Sequence, residues 1–184
     1  TSTGTLTKDG AGTLTLSAAN TYTGTTTVNA GTLVAGTNAP SGSAGALGNA
    51  TTAVLLGDTS GSSNAALVTN GAFTIARDIT VQSGSSGTAT IGGNSAHSSS
   101  FTGNITLNKD VILTAVSGGT ATFSTGVISG SYAVTKTDVG TVVLSGTNTY
   151  TGVTTISAGT LVAGTNAPSG SAGALGNATT AVLL

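Results

Sequence analysis

The sequence predicts an all-β chain wound as a parallel β-solenoid built from tandem repeats. Three observations predict it. Apolar and hydroxyl residues alternate with period two. Gly, Asn and Ser interrupt that alternation roughly every 5–10 residues. The chain also repeats itself. Slid by 128 positions, Thr7-Lys8 falls on Thr135-Lys136, and Asn20 to Gly24 falls on Asn148 to Gly152. The whole stretch from Ala30 to Leu56 falls on an identical one, Ala158 to Leu184. Residues 1–128 read as one repeat unit. Residues 129–184 read as the first part of the next, continuous with it and joined without a linker. The chain opens mid-pattern, as a piece of something longer would.

Taken in order, Thr13-Leu14-Thr15-Leu16 sends hydroxyls out and leucines in. Asn29-Ala30-Gly31 marks a turn. Thr37 to Ala50 breaks the pattern, reads as a loop leaving the rod, and recurs unchanged at Thr165 to Ala178. Asn38, Pro40 and Ser41, with Asn166, Pro168 and Ser169 in the second copy, are its candidate contact residues. Phe73 to Ile79 and Ile105 to Val111 share one form: apolar, Thr, apolar, any residue, basic, Asp, apolar. Thr88 to Ile91 alternates again. About fourteen short strand candidates fall in each unit. At three strands per coil and ~4.8 Å per coil, a unit adds roughly 24 Å of rod. The expected core is Leu14, Leu16, Val28, Leu33, Leu55, Phe73, Ile75, Ile79, Val81, Ile91, Ile105, Leu107, Leu113, Phe123, Val134, Val142 and Leu144. A β-sandwich per repeat is the competing architecture, disfavoured by the short strands.

Composition excludes several classes. Thr, Gly, Ala and Ser supply 116 of 184 residues, and only 5% of the chain is charged. Four basic residues cannot form a nucleic-acid footprint, so no nucleic-acid partner is expected. No apolar run approaches the ~18 residues of a spanning helix. With no Cys and one His, a His/Cys metal site is impossible within the chain. Glu is absent, no Gly-x-Ser-x-Gly elbow occurs, and the single His97 lies in a polar stretch, so no catalytic residue and no cofactor are expected. All charges except Asp58 sit in four basic–Asp pairs, which read as neutral marks at strand ends or turns. Thr-x-Thr pairs such as Thr13/Thr15 and Thr88/Thr90 fall at uneven spacings, which argues against an ice-binding face.

Gly10 to Leu33 reads Gly-Ala-Gly-Thr-Leu-Thr-Leu-Ser-Ala-Ala-Asn-Thr-Tyr-Thr-Gly-Thr-Thr-Thr-Val-Asn-Ala-Gly-Thr-Leu. This stretch resembles the autotransporter-associated β-strand repeat, or passenger-associated transport repeat. A second copy spans Asp138 to Leu161, with Asp138 in place of Gly10 and Val142-Val143 in place of Leu14-Thr15. The resemblance implies a right-handed parallel β-helix in a secreted bacterial surface protein, extracellular, with an outer-membrane β-barrel translocator outside this stretch. It implies a role in passenger folding and transport and brings no catalytic residues. The expected function is a non-enzymatic stalk or fibre in adhesion or cell-surface architecture, its partners being neighbouring repeats of the same chain. One alternative is lateral self-assembly with other copies into a filament or sheath. A receptor-binding module is the third reading. A solenoid needs only contacts between adjacent coils, so it can fold stepwise as it emerges.

Overall fold

The structure, a computed structural model, describes residues 3–184, and every regular element in it is a strand. The strands are two to five residues long, as expected where Thr, Val and Ile alternate between closely spaced turns. In chain order they begin with β1 (Leu6–Lys8), β2 (Thr13–Leu16), β3 (Thr26–Val28), β4 (Gly31–Ala35), β5 (Val54–Leu56) and β6 (Ala65–Thr69). There follow β7 (Thr74–Ile75), β8 (Ile79–Val81), β9 (Ala89–Gly93), β10 (Ser98–Phe101), β11 (Ile105–Leu107) and β12 (Val111–Ala115). The last six are β13 (Thr120–Phe123), β14 (Ile128–Ser129), β15 (Val134–Thr137), β16 (Thr141–Leu144), β17 (Thr154–Ile156) and β18 (Thr160–Ala163).

These strands form three parallel sheets. The first runs β1-β3-β5-β8-β11-β14, the second β2-β4-β6-β9-β12-β15-β17, and the third β7-β10-β13-β16-β18. Within each sheet the order is chain order, so each turn of the chain adds a strand on top of the last. That is a parallel β-solenoid. Coil length varies. Leu14 pairs with Leu33 and Leu33 with Leu67, so the second of these coils holds far more chain than the first.

Inward positions of the three sheets make one continuous core. It includes Val28, Leu33, Ile75, Ile79, Val81, Ile91, Ile105, Leu107, Leu113, Phe123, Val134, Val142 and Leu144. Leu14 and Leu16 lie on β2, which among the described residues pairs only with β4, and are half-buried against this core. Leu55 differs from its expected place. It stands on the outer face between Thr27 and Thr80, while Val54 and Leu56 turn inward. Phe73 precedes β7 and is half-buried over Gly71, where an added Cβ would stand 2.6 Å from its ring. Phe101 and Phe123, on successive coils, stack with ring centroids 4.9 Å apart.

Thr37 to Ala50 does not leave the rod. Among the described residues the third sheet begins at β7, so the coils before it have no strand on that side, and this segment covers it. Ala39 takes a one-residue place beneath β7, its N–H donating to Thr74 O and its carbonyl accepting from Ala76 N, both at 2.9 Å. Ala46 and Leu47 are fully buried. The reason is apolar area: Ala39, Ala46, Leu47 and Ala50 seal an otherwise open core, which outweighs the loop-like look of the Gly and Ser between them.

Equivalent strands of the two copies lie on different faces. β1 and β3 belong to the first sheet, but β15 and β17, which carry the same motif, belong to the second. Five steps along the first sheet carry β1 to β14, and β15 lies one face further on. One repeat unit therefore makes five coils and one-third, or roughly 26 Å of rod at ~4.8 Å per coil.

Candidate functional site

The repeated motif builds a module of two coils, in which β1 pairs with β3 and β2 with β4. Turn chemistry holds the pair together. Lys8 lies nearly buried, and its ammonium donates to the carbonyls of Asp9, Gly10 and Ala30 at 2.9, 2.6 and 2.9 Å. The first two belong to its own turn and the third to the turn of the next coil, so one side chain staples two coils. Lys136 repeats this, donating to Thr137 O, to Asp138 O at 2.7 Å and to Ala158 O at 3.2 Å. Burial pushes the Lys136 ammonium below its ordinary pKa, and the nearby Asp138 opposes that. A glycine is needed above the staple. Gly31 has φ +73°, and a Cβ there would meet Gly10 O and Gly12 O at 2.4 Å. Gly10 itself is left-handed, and Asp138 holds the equivalent position with φ 59°, a conformation Asp adopts more readily than most residues.

The expected basic–Asp pairs thus separate. The base turns inward onto backbone carbonyls, and the acid stays outside and ties to the adjoining coil. Asp9 Oδ1 accepts from Asn29 Nδ2 at 2.8 Å, Asp78 Oδ1 from Asn104 N at 2.8 Å and Asp110 Oδ1 from Ala133 N at 2.9 Å. Lys109 follows the same rule, donating to Ser85 O and Gly87 O.

The Asn-Thr-Tyr-Thr-Gly stretch joins the module to the covering segment. Asn20 N donates to Gly45 O at 2.9 Å, and Asn20 Nδ2 donates to Ala46 O at 2.9 Å. In the second copy Asn148 is buried, with Nδ2 donating to Ala174 O and Oδ1 accepting from Ile128 N, both at 2.8 Å. Tyr150 is fully buried and shares a 2.8 Å hydrogen bond with Thr154 Oγ1, as Tyr22 does with Thr26. Burial raises both tyrosine pKa values, and these hydroxyl bonds oppose the rise.

Arg77, from the start of the next coil, completes the joint. It is 1% exposed. Its Nη1 donates to Leu47 O at 2.8 Å and its Nη2 to Thr52 O, while Nε is buried without a partner. Burial lowers its pKa; the nearby Tyr22 and Asp78 oppose this.

Of the contact candidates, Asn38 and Ser41 are exposed and Pro40 half-buried; Asn38 Oδ1 also accepts from Thr74 N at 2.8 Å. Asn166, Pro168 and Ser169 are all exposed. His97 is exposed with Nδ1 3.2 Å from Ser95 Oγ, and among the described residues no group of three or more His, Cys, Asp or Glu could hold a metal. The register brings some Thr and Ser into columns that sequence spacing hides: Ser98, Thr120, Thr141 and Thr160 form one hydroxyl column, while the neighbouring column of Ser100 and Thr122 continues into Val143 and Val162. An open hollow of about 410 Å³ lies beside the first Lys staple, lined by small residues and Asn64.

Neither the curated proteins nor the solved structures include a match to this chain. Compared with known families, residues 6–35 and 134–163 match the Passenger-associated-transport-repeat. The first segment runs from the first residue of β1 to the last of β4, and the second from the first of β15 to the last of β18. The match thus coincides with the stapled two-coil module, and it occurs at both copies of that module.

Proposed function

We propose that this chain is a non-enzymatic structural segment of a larger bacterial surface protein, a stalk or fibre that holds other parts away from the cell. The repeat implies an autotransporter passenger segment, and with it a secreted, cell-surface protein. The observation that carries the stalk reading is the topology: three parallel sheets in chain order around one unbroken core, a rod with nothing to divide it. In this reading further units continue the rod in both directions, and an outer-membrane β-barrel translocator lies elsewhere in the protein. Each coil meets only its neighbours, so coils can fold one by one outside the cell, and the Lys and Arg staples lock each to the one before. That would oppose back-sliding during export.

Lateral assembly into a sheath is the second reading, favoured by an outer surface of Thr and Ser with few charges to prevent association. The one-third step between copies weighs against it. Equivalent surfaces turn to a different side of the rod with each unit, so a flat neighbour meets the same patch only at every third. Electron microscopy of the intact protein separates the two. Single rods roughly 2–3 nm wide, lengthening by roughly 26 Å per unit, support the stalk. Regular bundles of several rods overturn it in favour of the sheath.

A further inference from the structure

Asn70 and Gly71 form the bend that carries the chain from β6 to β7, and they are the one Asn-Gly pair in the sequence. Packing dictates the glycine. A Cβ on residue 71 would stand 2.6 Å from Cε2 of the Phe73 ring, so any side chain there would displace the ring. Gly71 O accepts from Phe73 N at 2.8 Å, whereas Gly71 N has no hydrogen-bond partner among the described residues. Gly71 is buried beneath the ring, and a backbone N–H is seldom left without a partner, so this one turns to water on the exposed Asn70 side. The carboxamide of Asn70 is also untied among the described residues. Those of Asn29, Asn38, Asn64, Asn104 and Asn148 are each held by a neighbouring coil.

We propose that Asn70 is a site of spontaneous modification, a deamidation assisted by its own backbone. The Gly71 nitrogen gives its proton to solvent and attacks Asn70 Cγ, forming a C–N bond. The Cγ–Nδ2 bond breaks, Nδ2 takes up a proton and leaves as ammonia, and a five-membered succinimide ring remains. Water then opens the ring at either carbonyl, giving aspartate or isoaspartate with no oxidant and no cofactor. Glycine leaves the approach to Cγ open where a Cβ would crowd it. The residue that lets Phe73 pack is thus the residue that leaves Asn70 reactive. Either product adds one negative charge to a chain whose net charge is −1. Isoaspartate also lengthens the main chain by a methylene between residues 70 and 71. That shift reaches Phe73 and then β7, a strand of two residues that holds Ala39 on one side and Ser100 and Phe101 on the other. The change is slow and one-way, and it loosens β7 whether the rod stands alone or in a bundle.

The test ages the folded 184-residue chain in mildly alkaline buffer. Peptide mapping follows the mass gained at each asparagine when its amide becomes a carboxyl, and an isoaspartyl methyltransferase with a labelled methyl donor counts isoaspartate. Asn70 should convert about tenfold faster than Asn94, which is exposed but followed by Ser95; that takes only about 1.4 kcal/mol of difference in barrier. Asn70→Gln should accept almost no methyl label at that position, since its longer side chain closes a larger ring more slowly. In the aged chain, hydrogen exchange should show lost protection at Phe73 N, which donates to Gly71 O, and at Ala39 N, which donates to Thr74 O, with Asn29 N unchanged. If Asn70 persists in the folded chain yet converts in the guanidinium-unfolded chain, the fold shields the pair and the proposal is overturned. Equal conversion at Asn94 also overturns it, and conversion with protection intact at Phe73 N overturns the loosening of β7.

Discussion

Gly12 and Gly140 occupy the same place in two copies of one motif, yet alanine should be harmless at one and costly at the other. In the 184-residue chain a Cβ on Gly12 meets nothing within 4 Å among the described residues. A Cβ on Gly140 stands 2.2 Å from Val116 O and 2.5 Å from Ala115 O, backbone atoms of the coil below that cannot swing aside. Restoring an ordinary contact of about 3.2 Å requires the coils to part by ~1 Å. The 2.8 Å bond from Gly140 N to Ala115 O then fails, and the 3.0 Å bond from Thr141 N to Gly119 O stretches. At about 1 kcal/mol net for each bond, and more for a buried N–H left unpaired, Gly140→Ala should cost roughly 2–4 kcal/mol. Neither glycine has positive φ, so Gly12→Ala should be neutral or stabilising by up to about 1 kcal/mol through the unfolded chain. Thermal and guanidinium unfolding followed by circular dichroism measures both. For a chain of this length Gly140→Ala should lower Tm by roughly 4–12 °C. If the two variants lose equal stability, or Gly140→Ala loses less than about 0.5 kcal/mol, the close stacking of coils is refuted.

Other outcomes follow from the same contacts. Asn148→Asp should destabilise by about 3 kcal/mol or more, because a carboxylate replaces the donor that meets Ala174 O; chemical denaturation against Asn148→Ala, which only deletes the bonds, measures it. Phe123→Ala should cost about 3–5 kcal/mol, and a double-mutant cycle with Phe101→Ala should recover a coupling of about 0.5–1.5 kcal/mol from the stacked rings. Tyr150 has a raised pKa in the fold, so its contribution is complete below the ordinary value of 10.0 and is lost as pH rises through the folded value. Lys136, with a lowered pKa, has the opposite sign: the folded state gains relative stability as pH rises toward its ordinary 10.5. Comparison of wild type with Tyr150→Phe isolates the tyrosine. Wild type should lose more stability above about pH 10 than the variant, in step with phenolate absorbance.

The solenoid is legible in the sequence because its signals are local. Alternation in Thr13 to Leu16, turns at Asn29 to Gly31 and recurrence of the whole pattern from one unit to the next name strands, corners and stacking without any long-range information. Leu55 is not legible. Ala53-Val54-Leu55-Leu56 is apolar throughout, so no alternation shows which parity faces in. Thr37 to Ala50 misleads because its Gly, Ser and Pro resemble an excursion, while its place depends on a missing strand of the third sheet. The joint formed by Asn20, Tyr22 and Arg77 in the first copy, and its counterpart around Asn148 and Tyr150 in the second, escape for a related reason. Recurrence of Asn-Thr-Tyr-Thr-Gly does single out the right residues, but their partners stand far along the chain, on other coils and in the covering segment. An arginine in a strand pattern reads as a turn until its carbonyl partners are seen.

The one-third step between copies also bears on why the module is self-contained. The same residues form the same staples on the first and second sheets in one copy and on the second and third in the other. Nothing on a particular side of the rod can therefore be required for the module to form. Its determinants must lie within its own two coils and the segment that covers them. This is the property a chain needs if it is to fold while the residues behind it are still in transit: each module finds its partners in chain already delivered. The arginine joint is the exception, because Leu47 and Thr52 wait for a residue 25–30 positions later. The Arg77 contact should therefore form after the module's Lys staple, fastening a unit already folded. Pulse-labelled hydrogen exchange during refolding checks the order: protection at Asn29 N, which donates to Lys8 O, should precede protection at Val54 N, which donates to Asp78 O. Simultaneous protection of the two amides would mean that cover and module close as one piece, and the joint would then be part of the fold's nucleus rather than its fastening.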